Sequence, residues 1–175
     1  GQDELGRMSQ ALRALKDSQE KRRALEAEAR AQRNTIMTAI ETIPDGFALY
    51  DENDRLVLLN DRFREMFQDV RDILTPGITF EQIIRTRIAR GDADGPDPGD
   101  EAWVTERVAQ HRAPDGQRYQ MQANGQWLQV SKRKTPDGGT VSVYSDITDL
   151  KQKQVQLEEA NKQAIAASSA KSQFL

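Results

Sequence analysis

GQRYQMQANGQWLQVSKRKTPDGGTVSVYSDIT, residues 116–148, is the stretch on which the reading of the fold turns. It holds three strand-like segments, 117–121, 127–134 and 140–146. They are separated by Ala123-Asn124-Gly125-Gln126 and Pro136-Asp137-Gly138-Gly139, both turn-forming in composition. Leu128 and Val130 alternate with polar neighbours, as do Val141 and Val143. That is the period of an antiparallel sheet with one buried face.

Upstream, Ala113-Pro114-Asp115-Gly116 closes a helix expected from Asp100 or Glu101 to His111, with Trp103, Val104 and Val108 inward. Residues 91–100 (GDADGPDPGD) read as a loop. Thr79 to Arg90 reads as a helix: Thr79 and Gln82 have capping-box spacing, and Phe80, Ile83, Ile84 and Ile88 share one face. Further back, residues 47–50 and 55–60 flank the turn Asp51-Glu52-Asn53-Asp54 and predict a hairpin, with Asn60 capping a short helix from Asp61 to Phe67. The order of elements predicts an α+β domain over residues 44–148, a five-stranded antiparallel sheet with helices on one face.

Outside this domain the chain changes character. From Arg7 to Ile43 there is neither Gly nor Pro, and Ala, Leu, Glu, Arg, Lys and Gln dominate. A helix of that length is a rod of roughly 55 Å. Leu5, Met8, Leu12 and Leu15 are spaced 3-4-3. A second series runs Leu15, Ser18, Arg22, Leu25, Ala29, Gln32, Ile36, Ala39 and Ile43, offset from the first near Ser18 as a stammer would be. A heptad seam needs a partner to bury it, so a parallel homodimer is the natural outcome. A single solvated helix laced with i,i+4 charge pairs is the other reading. Pro44-Asp45-Gly46 ends the rod. After Asp149 a second Gly- and Pro-free stretch reaches Leu175, with Leu150, Leu157 and Ala164 seven residues apart.

Of the 175 residues 30% are charged and 37% apolar, so a core is feasible in one part of the chain only. The net charge of −3, with signs interspersed, argues against nucleic acid as a partner. With no cysteine there is no disulfide, thiol nucleophile or zinc-thiolate site. No apolar run approaches the roughly 18 residues of a membrane helix, and no signal peptide is visible.

The order of elements and the local motifs resemble a PAS domain. AIETIPDGFALYDENDRLVLLNDRF (residues 39–63) is similar to the usual PAS opening, with its Asn at position 60, and SDIT (145–148) resembles the exit motif that joins many PAS sheets to an outgoing helix. AKSQFL (170–175) resembles the start of the dimerisation and phosphoacceptor helix of sensor histidine kinases, and DELGRM (3–8) the start of a second HAMP helix. These resemblances imply four regions. Residues 1–15 would end a HAMP-like helix, 16–43 form a coiled-coil signalling helix, 44–148 a PAS sensor domain, and 149–175 a linker helix entering the phosphoacceptor domain. They imply a parent histidine kinase, with transmembrane segments upstream and this region on the cytoplasmic side of an inner membrane. The phosphorylated His, the downstream kinase domain with its ATP and the response regulator would lie outside this chain. The long helical stretch from Thr79 to His111 departs from the family pattern, so the family's cofactor-contacting residues are not placed.

No catalytic apparatus for phosphoryl transfer, no Walker-type cradle and no cofactor signature is seen. A photoadduct-forming flavin domain would need a cysteine. His111, the one histidine, reads as an exposed helix end favoured by the macrodipole, with haem or metal ligation as the sharper alternative. Asp92, Asp94, Asp97 and Asp100 fail EF-hand spacing and read as a solvated loop. Phe47, Leu49, Phe67, Ile83, Ile84, Trp127 and Val143 are the expected lining of either a small-molecule cavity or a filled core. Asp146 and Thr148 are expected to couple the sheet to the outgoing helix, with Arg133 or backbone amides as partners for the carboxylate. Functionally the alternatives are a relay of helical motion to a kinase, a small-molecule sensor with passive helical spacers, or the input region of another output such as a nucleotide cyclase.

Overall fold

Turn-forming residues cut the strands where the sequence says they should. In a computed structural model, which describes residues 1–91, 97 and 99–174, the strands are β1 (Gly46–Tyr50), β2 (Leu56–Leu59), β3 (Gln117–Met121), β4 (Trp127–Lys134) and β5 (Thr140–Asp146). They form one antiparallel sheet in the order β2-β1-β5-β4-β3. The chain divides into two compact units, Gly1–Thr42 and Ile43–Leu175.

The first unit is a single helix, α1 (Gln2–Glu41), of 40 residues. At 1.5 Å per residue it is roughly 60 Å long. It has no buried residue, and Leu5, Met8, Leu12, Leu15, Leu25, Ala29 and Ile36 are all exposed on it.

In the second unit α2 (Asp61–Met66), a 3-10 segment (Gln68–Ile73), α3 (Phe80–Ala89) and α4 (Glu101–Arg112) cover one face of the sheet. Asn60 caps α2 by accepting from Phe63 N at 3.0 Å. The same oxygen accepts from Phe47 N at 2.8 Å, and its amide donates to Asp45 O at 2.9 Å. One fully buried side chain thus ties the entry of β1 to the end of β2 and the start of α2. Thr79 and Gln82 form the full capping box at α3, and Asp100 caps α4 through Trp103 N. The core joins Tyr50, Leu56, Phe63, Phe67, Leu74, Ile83, Ile84, Val104, Leu128, Val130 and Tyr144. Each fully buried aliphatic or aromatic side chain contributes about 1.5–3 kcal/mol. The 3-10 segment has no counterpart in the sequence reading, yet it seats Val70 at 0% exposure.

The β4–β5 hairpin sits close against β1. A Cβ on Gly139 would lie 2.3 Å from Tyr50 O, so only glycine fits there. α5 (Thr148–Phe174) leaves directly from the end of β5, with no buried residue of its own; Leu150 and Leu157 are exposed.

Candidate functional site

Two places in the domain gather polar chemistry: the junction of sheet and α5, and the part of the interior under α4.

At the junction, Thr148 is the hub. Its hydroxyl donates to Asp146 Oδ1 at 2.6 Å and accepts from Trp127 N at 3.0 Å; its own amide donates to the same carboxylate oxygen at 3.0 Å. Ile147 N donates to Trp127 O at 2.9 Å. Gln126 Nε2 donates to the other carboxylate oxygen at 3.2 Å, and Arg62 on α2 lies 3.8 Å from it. Desolvation works to raise the Asp146 pKa, but the hydrogen bonds from Thr148, the Arg62 charge and Gln126 prevail and hold it below the usual carboxylate value. Lys151, one turn into α5, places its ammonium over the rings of Tyr119 and Trp127 at 5.1 and 5.4 Å. The first turn of α5 is therefore fastened to β3, β4 and β5. Of the two partners expected for Asp146, the backbone amide is present, that of Thr148, while Arg133 pairs with Val141 at the far end of β4; Gln126, Arg62 and the Thr148 hydroxyl complete the set. Trp127 contributes through its backbone amide, which no side-chain pattern signals.

Under α4 the interior is polar. His111 is fully buried, stacked on Phe80 at 3.9 Å between centroids and edge-on to Tyr50 at 4.7 Å. This corrects its reading as an exposed helix end: the spacing Val104, Val108, His111 continues the buried face of α4 to its last turn. Lys132 Nζ lies 2.9 Å from His111 Nδ1; as an ammonium it donates to that nitrogen, and the ring proton is then on Nε2. Nε2 faces Asp54 Oδ1 at 3.8 Å, too far for a hydrogen bond. Asp54, held at φ +59° in the β1–β2 turn, is the ion-pair partner of Arg112. Burial, then the charges of Lys132, Lys134 and Arg112, push the His111 pKa down to about 2. Burial, with Arg118 nearby, brings Lys132 down to about 7 despite Asp54. The imidazole is neutral at ordinary pH, and nothing in its surroundings is arranged as a ligand sphere. Among the described residues no group of three or more His, Cys, Asp or Glu is placed to hold a metal ion. Asp92 and Asp94 of the acidic loop lie outside the described residues.

The expected cavity lining is corrected in part. Phe67, Ile83 and Ile84 do face the interior, around a gap of about 30 Å³ beside Tyr50, Phe63, Phe80 and Tyr144. That volume holds a water molecule or two. Phe47, Leu49, Trp127 and Val143 lie on the other face of the sheet, half-buried, because Ala48, Tyr50, Leu128, Ser142 and Tyr144 take the inner positions. In β1 and β5 the apolar residues occupy both faces, so hydrophobicity alone selects the wrong one.

A second, larger cleft of about 50 Å³ opens between α4 and strands β3 and β4. Arg107, Gln110, His111, Arg118, Val130, Lys132 and Tyr144 lie along it.

A five-stranded antiparallel sheet, helices on one face, a buried Asn at the end of β2 and a fastened Asp-Ile-Thr exit together define a sensory domain of the PAS class. The family model described as the PAS fold matches residues 40–155, and the chain belongs to that family. The chain is 31% identical over 132 residues to the non-motile and phage-resistance protein of Caulobacter vibrioides, in a match covering 74% of this chain and 14% of that protein. It thus spans a small part of that relative's length. Among solved structures, a domain of the sensory box sensor histidine kinase/response regulator from Geobacter sulfurreducens matches with 19% identity and a TM-score of 0.40, over 66% of this chain and 94% of that one. The PAS domain of Bordetella pertussis BvgS matches with 18% identity and a TM-score of 0.41, over 74% and 98%. No helix among the described residues is long and apolar enough to cross a membrane.

Proposed function

We propose that this PAS domain is the sensory and signal-transmission region of a dimeric sensor histidine kinase, passing conformational change from α1 and from its own interior to the phosphoacceptor helix. The observation that carries this reading is the junction at Thr148. A helix that merely followed the sheet would need a cap alone. Here Asp146, Thr148 and the Trp127 amide bind the first turn of α5 to two strands at once, so a shift of β4 against β5 must move the helix. The kinase output is supported by AKSQFL at residues 170–175, and the membrane-linked input by DELGRM at residues 3–8. The exposed apolar seam of α1, interrupted by Ser18, Arg22 and Gln32, suits a parallel coiled coil held near the balance between two packings.

The test has two stages. Native mass spectrometry of the chain should find a dimer, and a monomer at micromolar concentration would sink the coiled-coil mechanism. Replacing Arg22 and Gln32 with Leu in the parent kinase should tighten the dimer and clamp autophosphorylation at one level. A response indistinguishable from that of the unsubstituted kinase would refute the relay. The buried polar cluster under α4 favours a second role within the same reading, as a sensor of a small ligand.

A further inference from the structure

Several arginines in this domain face carboxylates. Arg64 pairs with Asp61, Arg87 with Asp69, Arg90 with Asp72 and Arg112 with Asp54. The cleft between α4, β3 and β4 is different in gathering several cations at one place. Arg107 from α4, Arg118 from β3 and Lys132 from β4 converge on it, and none of the three forms an ion pair among the described residues. Their hydrogen bonds go instead to neutral groups: Arg107 to Gln120 Oε1 at 3.1 Å, Arg118 to Gln110 Oε1, and Lys132 to His111 Nδ1. Arg107 Nε is buried with no hydrogen-bond partner. Among the described residues the one carboxylate on the rim, Asp115, is exposed.

Three cations from three separate elements, with no carboxylate in ion-pair contact and Asp54 acting only on Lys132, destabilise one another. Burial is the main cause of the depressed pKa of Lys132, and the Arg118 charge adds to it. An anion removes the conflict. Two guanidinium forks suit the planar oxygens of a carboxylate. Beside the polar Gln110, His111 and Gln120, the lining includes Val130, Pro114 and the ring of Tyr144, an apolar part that suits a short hydrocarbon remainder more than a fully charged inorganic ion. The cleft, of about 50 Å³ and open on one side, admits a molecule of a few heavy atoms.

We propose that the cleft between α4 and strands β3 and β4 binds a small organic carboxylate, its carboxylate group held by Arg107, Arg118 and Lys132. The ligand bridges α4 to the sheet, and β4 carries the effect: Lys132 and Val130 lie on the cleft, and Trp127, at the other end of the same strand, is bonded to Thr148. This rests on the sensory reading above and names the chemistry of its ligand.

The experiment is calorimetric and thermal-shift titration of the whole chain with sodium acetate, pyruvate and succinate, against sodium chloride and sodium phosphate at matched ionic strength. Saturable binding of at least one carboxylate is expected, together with a rise in melting temperature that chloride does not produce. Arg107→Gln and Arg118→Gln should each weaken it on the order of tenfold or more, with Arg118→Lys retaining part of the affinity. Arg118 is exposed, so Arg118→Gln should fold with an unchanged melting temperature in chloride, and its loss of binding cannot be put down to unfolding. Absence of saturable carboxylate binding, saturation by phosphate alone, or carboxylate binding that survives the double replacement would each overturn the assignment. Binding that passes these controls but leaves autophosphorylation of the parent kinase unchanged would sink the sensory reading and leave the site standing.

Discussion

Thr148→Val removes one oxygen from the junction between the sheet and α5 and replaces it with a methyl group of nearly the same volume. Two hydrogen bonds are lost. One is donated to the Asp146 carboxylate at 2.6 Å, the other accepted from Trp127 N at 3.0 Å. A hydrogen bond to a charged group in a dry setting contributes about 1.5–3 kcal/mol, but this carboxylate lies at the solvent edge, so water recovers part of the loss. About 1 kcal/mol is a fair value for it. The Trp127 amide is part-buried, and leaving it without this acceptor adds about 1 kcal/mol. The total is about 2 kcal/mol. At about 4 °C per kcal/mol for a domain of this size, the melting temperature should fall by about 8 °C.

Hydrogen exchange separates this account from a general loss of stability. Opening of the junction alone exposes the Trp127 amide, so its protection should drop by about thirtyfold, the factor that corresponds to 2 kcal/mol. Amides in the middle of β5, such as that of Ser142, should follow only the global change. Thr148→Ser keeps the hydroxyl and should stay within about 0.5 kcal/mol of the parent. In a double-mutant cycle, Asp146→Ala and Thr148→Val should show a coupling of about 1 kcal/mol. Unchanged protection at Trp127 and a stability loss under about 0.5 kcal/mol would refute the reasoning, because the hydroxyl would then be a solvated group and not a fastener.

Two further outcomes follow from the interior. Asn60→Ala severs contacts to Asp45, Phe47 and Phe63 at a fully buried position, and urea denaturation should show a loss of about 3 kcal/mol; less than about 1 kcal/mol would mean the entry of β1 is held elsewhere. Stability should also depend on pH through the cluster in which His111 meets Lys132 and Lys134 of β4, Arg112 of α4 and Asp54 of the β1–β2 turn, and Lys132 meets Arg118 of β3. Both folded pKa values are depressed, so the unfolded chain binds more protons, and stability rises with pH in each window. The His111 contribution is lost as pH falls from 6.5 towards about 2, and Lys132 adds stability as pH rises from about 7 to 10.5. His111→Gln should flatten the acid limb and Lys132→Met the alkaline one in denaturation followed across pH; parallel curves for parent and variants would contradict the buried assignment.

What could be read from the chain, and what could not, divides along physical lines. The limits of β3, β4 and β5 and the capping box at Thr79 depend on residues close in sequence and appear where local chemistry puts them, while β1 starts one residue earlier than expected and β2 is one residue shorter at each end. Facing is a different matter. Strand β5 places Thr140, Ser142 and Tyr144 inward and Val141 and Val143 outward, the reverse of a hydrophobicity rule. Its inner polar residues lie beside Lys132 and Lys134 of β4, with which Ser142 and Thr140 are paired, so the interior there was never apolar. The signal was present in β4, where the alternation Leu128, Val130, Lys132 carries a cation onto the inner face, and in α4, where 104, 108 and 111 share one side. Each is visible only when period is followed through a residue whose type argues against burial.

The same division explains why this domain has two sites and why they belong together. Between α2, α3 and the sheet, Phe63, Phe67, Ile83, Ile84 and Tyr144 close the interior to about 30 Å³, and an apolar ligand finds no room. Between α4 and the sheet, cations and amides cannot pack as tightly without a counter-charge, and a cleft remains. Strand β4 runs from one site to the other, about 17 Å from Trp127 to Lys132 at 3.4 Å per residue. It is paired with β3 over residues 127–131 and with β5 over residues 128–134. A strand so held does not stretch. A load applied at Lys132 is relieved by sliding or twisting β4 against β5, and the contact that passes that movement to α5 is the one between the Trp127 amide and Thr148.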